Sequence, residues 1–175
     1  MINTKNTYIP QEDLEKIRSK LHGTDLLITD LLLATGFRLD DIMNSRIYQL
    51  AGDSVSLLER KTQKRRSVPL PPELAERVKT YVKKRHRFSF TFPALRRYGK
   101  KKMHRTTYWR HFMIAVRRAD CADRGYSPHS LRKVYAVRAL SKTGDLLAVQ
   151  KDLNHSHLTT TLLYALSDRI QRSEG

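Results

Sequence analysis

The sequence is poor in the features that mark secreted, disordered and membrane-spanning proteins. Its single cysteine, Cys121, excludes an internal disulfide. Only 7 glycines and 6 prolines occur among 175 residues, of which 39% are hydrophobic, and this composition is that of a folded chain. No apolar run approaches the roughly 18 residues of a membrane helix, and the N-terminal stretch lacks the apolar core of a signal peptide. We therefore expect no membrane partner and a reducing compartment, the cytoplasm or the nucleoid.

Acidic residues are scarce beside the basic ones. The chain has 34 Lys+Arg against 17 Asp+Glu, which gives a formal net charge of +17. An excess of this size exceeds what solubility requires and predicts a polyanionic partner. The length suits one domain with a real core, and no repeat or linker-like segment divides it. We therefore predict a single domain over residues 1–175.

Apolar periodicity predicts a mainly helical chain. A first helix is expected after Pro10, and the nearly all-apolar segment DLLITDLLLATG predicts a second that lies at the centre of the core and ends at Gly36. A third is predicted from Leu39 to about Ser45. Further helices are predicted in the segments after PPEL, in TYWRHFMIAVRRA, SLRKVYAVRALSKTG, DLLAVQKDLNH and LTTTLLYALSD.

Between the third and fourth helices the pattern changes to short β-like runs with turn signals between them. We predict a small three-stranded antiparallel sheet, so the fold class is α+β and mainly α. The predicted strands lie around Ile47–Leu50, Val55–Glu59 and Ser67–Leu70.

Arg38 follows a glycine stop and precedes a helix in the segment ATGFRLDDI. A guanidinium at the end of a buried helix suits a phosphate, because its planar fork donates two parallel charge-assisted hydrogen bonds. An arginine paired with the neighbouring Asp40 or Asp41 fits the same pattern, and taken alone that alternative is favoured.

Lys61 lies in the turn of the predicted hairpin, within the basic run RKTQKRR. Neighbouring cations can lower the pKa of such a lysine, so it could donate a proton in a groove. By spacing alone, a solvated basic turn that binds phosphates without specificity is the favoured alternative.

His129 and Arg132 share one face at the start of a predicted helix, in PHSLRK. Free backbone N–H groups at a helix N-terminus make an anion site plausible there, although a solvent-facing basic helix fits as well. His155 lies in LNHS at a helix junction, and Tyr164 follows nine residues later. A tyrosine on an apolar helix is usually a core residue, so the core alternative also stays open for Tyr164.

Taken together, the order and spacing of these four spots resemble the tyrosine recombinase family, also called phage integrases. The resemblance runs from about Tyr8 to Tyr164. It identifies a TG-x-R-x-x-E/D segment with its arginine at Arg38 and its acid at Asp41. Lys61 matches the hairpin lysine, with Lys64 as the alternative in the same turn. His129 and Arg132 match the H-x-x-R pair, His155 matches the L-G-H histidine, although Asn154 replaces the glycine, and Tyr164 matches the nucleophile.

The resemblance implies a catalytic domain that cleaves and rejoins DNA through a 3′-phosphotyrosyl intermediate. Tyr164 would attack, Arg38 and Arg132 would clamp the phosphate, and Lys61 would protonate the leaving oxygen. The remaining two implied roles are proton transfer at the tyrosine for His129 and a phosphate hydrogen bond for His155. No cofactor and no metal are implied. A zinc site of His104, His111 and Cys121 matches no familiar spacing.

The implied partner is double-stranded DNA at a specific recombination site. Family members commonly carry an N-terminal core-binding domain, which we expect to be absent from this chain. We expect a monomer off DNA and a homo-oligomer, a tetramer, on DNA, with accessory DNA-bending proteins as further candidates. A type IB topoisomerase-like relaxing enzyme and an inactive DNA-binding regulator of the same fold stay open as alternatives. The predicted DNA contacts are Lys64, Arg65, Arg66, Lys101, Lys102, Arg105 and Lys133.

Overall fold

The computed structural model describes residues 7–94 and 101–153, which form helices around one β-hairpin. Two single 3₁₀ turns, Ile47–Gln49 and Ala122–Arg124, connect these elements. The strands are β1 (Ser54–Glu59) and β2 (Lys64–Pro69), and the helices are α1 (Gln11–Ser19), α2 (Gly23–Thr35), α3 (Leu39–Asn44), α4 (Pro72–Val82), α5 (Arg105–Arg118), α6 (Pro128–Thr143) and α7 (Leu146–Asp152).

Helix α2 is the centre of the core, as its apolar sequence predicts. Because it is apolar on nearly all sides, it is surrounded by other elements, and it packs against α3, α4, α5 and most extensively α6. It ends at Gly36, whose φ of 62° is left-handed and whose N–H donates to the Leu32 carbonyl at 2.9 Å. The chain then reverses directly into α3, and this turn brings Arg38 to the end of the central helix.

The prediction of three strands is wrong, because the segment around Ile47–Leu50 does not form one. Within the described residues the sheet has two strands, β1 and β2, and the segment from Ile47 to Gln49 is a 3₁₀ turn. The Gln49 side chain accepts a hydrogen bond from the Arg46 N–H at 2.7 Å, and the Leu50 N–H donates to the Ile47 carbonyl at 3.0 Å. These local bonds replace a strand ladder, and both Ile47 and Leu50 are still buried. Just before this turn, Arg46 forms an isolated antiparallel bridge with Phe90 and not with the hairpin.

The hairpin of β1 and β2 is antiparallel, and its register pairs Val55 with Val68 and Glu59 with Lys64. Burial alternates along β1, so that Val55, Leu57 and Glu59 face the protein interior. Strand β2 begins at Lys64, three residues earlier than the predicted run. The inner face of the hairpin therefore ends in a carboxylate.

The predicted helices in the described residues are confirmed with small shifts at their ends. Helix α6 begins where PHSLRK predicts, with Ser127 as N-cap and Pro128 in the first turn. Helix α7 packs on α6 through Ala136, Val149 and Leu153. The predicted helix LTTTLLYALSD lies outside the described residues. No helix in the described ranges has the length and apolar character to cross a membrane.

Candidate active site

A cleft of about 550 Å³ opens where the end of α2 meets the first turns of α5 and α6. Three segments that are far apart in sequence form its wall. Arg38, His129 and Arg132, three of the predicted catalytic residues, all line it. The other lining residues are Phe37, Leu39, Asp40, Arg105, Thr106, Trp109, Ser127 and Pro128.

Arg38 is the N-cap residue of α3, and its guanidinium is paired with a buried acid. Its Nη1 donates to Glu59 Oε2 at 2.8 Å, and its side chain keeps 21% of its surface exposed. The two neighbouring acids have other partners: Asp40 pairs with Arg105 at 3.0 Å, and Asp41 Oδ1 accepts from the Arg60 N–H at 3.0 Å. The expected alternative, in which Arg38 pairs with Asp40 or Asp41, is therefore wrong.

Arg132 is buried, with 4% of its surface exposed, and it joins three elements. From α6 it donates through Nη1 to the carbonyl of Gly36, at the end of α2, and through Nη2 to the carbonyl of Leu153, after α7. Since a guanidinium has five N–H donors, two carbonyls fix its plane without using all of them. The close approach of the Tyr135 ring to Gly36 completes this junction.

His129 lies on the exposed side of the same helix turn, at the cleft. Partial burial of its ring, with the charges of Arg132, Lys133, Arg38 and Lys61, lowers the pKa of His129 below its ordinary value of 6.5. The imidazole is therefore mostly neutral at pH 7, and a neutral ring can accept a proton. Burial and then the charge of Arg38 lower the pKa of Arg132 to about 10, so this guanidinium stays charged near neutral pH.

Lys61 lies in the turn between β1 and β2 and is exposed. Gln63 closes this turn with a left-handed φ of 55° and donates its N–H to the Glu59 carbonyl at 2.8 Å. Lys61 does not line the cleft, but its charge acts on His129. The hairpin tip is therefore within electrostatic range of the cleft.

The expectation that Arg66 contacts DNA does not fit the structure. Arg66 is 8% exposed and forms ion pairs with Glu59 and with Asp152, both at 3.2 Å. It also donates to the Thr35 carbonyl at 2.7 Å and lies 4.1 Å over the Phe37 ring. Strand alternation turns this residue inward, so it is a structural residue beneath the site.

The other predicted DNA contacts differ in exposure. Lys64, Arg65 and Lys101 are exposed. Lys102 donates to the Asn44 side chain, and Arg105 is exposed although it pairs with Asp40. Lys133 is half-buried, and burial lowers its pKa.

Sequence reasoning missed Glu59 as a member of this site. The signal that could have found it is the alternation of β1, where Glu59 occupies the inner face after Val55 and Leu57. A buried acid at such a position requires cationic partners, and these are Arg38 and Arg66. The last two predicted catalytic residues, His155 and Tyr164, lie outside the described residues.

Comparison with known proteins gives consistent matches. The family model described as the phage integrase family matches residues 7–169. The tyrosine recombinase XerA of Pyrococcus furiosus is 32% identical over 143 residues, which are 80% of this chain and 49% of that protein. The chain spans about half the length of the curated relatives it matches, between 49% and 56% for the first three.

Solved structures share the fold. The crystal structure of XerA recombinase aligns with a TM-score of 0.75 and 20% identity, over 96% of this chain and 64% of that one. The XerH site-specific recombinase, bound to a palindromic difH substrate in a post-cleavage complex, aligns with a TM-score of 0.76 and 19% identity, over 97% and 52% of the two chains. The mainly helical architecture with a small antiparallel sheet is therefore that of recombinase catalytic domains.

Proposed function

The chain belongs to the phage integrase family, the tyrosine recombinases, and from this premise we propose that it cleaves and rejoins DNA strands through a 3′-phosphotyrosyl intermediate. The observation that carries the proposal is the convergence of Arg38, His129 and Arg132 on one cleft, with the charge of Lys61 in range. Three separated segments of a strongly basic chain thus supply the groups that a phosphodiester requires.

In the proposed reaction the Tyr164 oxygen attacks the phosphorus of a DNA phosphodiester. A bond forms between this oxygen and phosphorus, the bond to the 5′ oxygen breaks, and the leaving strand departs as a 5′-hydroxyl. Arg38 and Arg132 hold the non-bridging oxygens and offset the negative charge that grows on the phosphorane. His155 adds a hydrogen bond to the phosphate.

The two proton transfers are assigned to His129 and Lys61. The lowered pKa of His129 supports a neutral imidazole that takes the tyrosine proton. Lys61 gives a proton to the leaving 5′ oxygen, and the effect of its charge on His129 supports a position of Lys61 near the cleft. Because the phosphotyrosyl bond conserves the energy of the cleaved linkage, a second 5′-hydroxyl can restore a phosphodiester without ATP or another cofactor.

The proposed partner is double-stranded DNA at a specific site, with assembly of several copies on that DNA. Exposed cations such as Lys64, Arg65 and Lys101 are suited to backbone contacts, which position the duplex without reading its sequence. If about six cations contact phosphates, affinity should fall by roughly three orders of magnitude between 50 and 200 mM salt. A relaxing enzyme of the topoisomerase IB type and an inactive regulator are not favoured, because the curated relatives are recombinases.

The nucleophile is tested with a suicide duplex, nicked so that the cleaved strand diffuses away. Wild type should form a covalent adduct that survives denaturant, and Tyr164→Phe should form none. Tyr48→Phe is the matched control, because Tyr48 is an exposed tyrosine outside the cleft lining. An undiminished adduct with Tyr164→Phe would remove Tyr164 as the nucleophile. A wild type that binds the duplex without forming an adduct would contradict the proposed function.

The acid is tested with a 5′-bridging phosphorothiolate, whose thiolate leaving group needs no proton. Lys61→Ala should be slow on the normal duplex and near wild type on the sulfur analogue. Lys64→Ala serves as the matched control in the same hairpin and should show no such rescue. Rescue of Lys64→Ala alone would transfer the role to Lys64.

A further inference from the structure

Glu59 is a fully buried carboxylate at the point where the hairpin meets the cleft wall. Its side chain has 0% exposure. Its oxygens contact groups on three segments: Arg38 Nη1 at 2.8 Å, the Thr62 hydroxyl at 3.1 Å and Arg66 Nε at 3.2 Å. A single side chain therefore joins the start of α3, the hairpin turn and β2.

This carboxylate is held in its charged form. Burial by itself would raise its pKa, but the charges of Arg66 and Arg132 and the hydrogen bond from Arg38 outweigh that effect and lower the pKa of Glu59. An apolar residue would continue the inner face of β1 after Val55 and Leu57 at no desolvation cost. Core packing therefore does not account for an acid at this position, and its contacts point to another role.

The contacts of one oxygen, Oε2, are the decisive ones. It accepts from Arg38, which lines the cleft, and from Thr62, which directly follows Lys61. The Glu59 carbonyl also accepts from the Gln63 N–H at 2.8 Å and so closes the same turn. The phosphate clamp and the turn that bears the proton donor are thus tied to one residue.

We propose that Glu59 is a positioning residue that sets Arg38 and the Lys61-bearing turn relative to one another, so that clamp and acid reach the same phosphate. The inference rests on the proposed function. Within the described residues, Arg38 donates one of its five N–H groups to Glu59, and the proposal assigns others to the phosphate. Because its side chain is fully buried, Glu59 itself would contact neither the substrate nor the reacting atoms.

The test measures single-turnover cleavage of the suicide duplex by wild type, Glu59→Gln and Thr62→Val. Glu59→Gln keeps the shape of the side chain and removes its charge. A displacement of about 1 Å costs roughly 100-fold in rate, so we expect cleavage to slow by about that factor while DNA affinity changes by less than about threefold. Thr62→Val removes only the bond to the turn, and we expect a loss of roughly tenfold.

Two substrate analogues separate a positioning role from a structural one. The 5′-bridging phosphorothiolate removes the need for the acid, and a methylphosphonate removes the charge that Arg38 offsets. Glu59→Gln should recover in part on both analogues, whereas Thr62→Val should recover on the phosphorothiolate alone. Recovery on neither analogue would overturn the inference.

Asp30→Asn is the matched control, since Asp30 is also buried and pairs with two arginines, Arg18 and Arg77, away from the cleft. It should lower the melting temperature without changing the cleavage rate. Wild-type cleavage by a folded Glu59→Gln would overturn the inference and leave the proposed function standing. If Glu59→Gln does not fold, Thr62→Val decides, because wild-type cleavage by that variant would equally overturn the inference.

Discussion

Replacement of Gly36 by alanine should damage the protein at the junction behind the cleft. A Cβ at this position would lie 2.7 Å from Cγ and from Cε1 of the Tyr135 ring, too close for any real contact. The residue also has a left-handed φ of 62°, which costs a non-glycine residue about 1 kcal/mol. The ring must therefore move, and the strained backbone gives little room for the new methyl group to avoid it.

Displacement of the ring also breaks a hydrogen bond that the Tyr135 hydroxyl makes. The Tyr135 hydroxyl donates to Asp152 Oδ2 at 2.6 Å, and loss of a bond to a charged group costs roughly 1.5–3 kcal/mol. With the backbone strain, the expected destabilisation of Gly36→Ala is about 3 kcal/mol. For a chain of this size that is a melting temperature lower by roughly 6–12 °C. The Gly36 carbonyl also holds Arg132, so DNA cleavage should fall with stability.

Differential scanning calorimetry measures the change, and Gly144→Ala provides the control. Gly144 has a similar φ of 67°, but an added Cβ would meet nothing within 4 Å, so only the strain of about 1 kcal/mol should appear. The double variant of Gly36→Ala with Tyr135→Ala should lose less than the sum of the single changes, because the clash is absent. Equal effects at both glycines, or strict additivity, would refute the steric argument.

Three further predictions concern polar groups near the cleft or in the core. Arg66→Gln should lower the free energy of unfolding by roughly 3 kcal/mol in urea denaturation, because it removes a buried guanidinium that pairs with both Glu59 and Asp152. The exposed neighbour Arg65→Gln should lower it by under about 0.5 kcal/mol; equal losses would contradict the burial of Arg66. The pKa of His129, measured by NMR titration, should lie below 6.5 in the free protein. Duplex DNA should raise this pKa, so DNA binding should take up a proton and become tighter as the pH falls. A pKa that DNA does not shift would count against a phosphate beside the ring. Tyr126→Phe should lower the free energy of unfolding by roughly 1.5–3 kcal/mol in thermal denaturation, since the Tyr126 hydroxyl donates to buried Asp13 at 2.6 Å. An unchanged stability would argue against this bond.

Local signals predict the helix boundaries well because a helix end is decided by a few neighbouring residues. Gly36 ends α2, and Ser127 with Pro128 begins α6, as their conformational preferences require. The segment after α3 is different. Ile47 and Leu50 are both buried and three residues apart. In so short an apolar run, sequence periodicity does not distinguish a strand from a 3₁₀ turn. The hydrogen bond that the Gln49 side chain accepts from the Arg46 N–H stabilises the turn.

The site was predictable only in part, because its pairings span long stretches of sequence. Spacing alone could not bring Arg38 beside His129, and it was the resemblance to a family that predicted their proximity. Neighbouring cations in a basic run can also differ in burial. In RKTQKRR, Arg65 is exposed while Arg66 is buried. The alternation of a strand carries this information, but the partner that stabilises Arg66, Asp152, lies on a distant helix.

The charges behind the cleft repel one another. Arg38, Arg66 and Arg132 are near enough for their like charges to interact, and burial together with the charges of Arg38 and Arg66 lowers the pKa of Arg132. Glu59 pairs with Arg38 and Arg66, whereas Arg132 is held by two backbone carbonyls. The charges of Glu59 and Asp41 act on Arg132 in the opposite direction, but its pKa stays lowered. An anion in the cleft would offset the remaining repulsion, and a ligand that binds only the folded state raises its stability. Under the proposed function, the same repulsion favours the extra negative charge of a phosphorane.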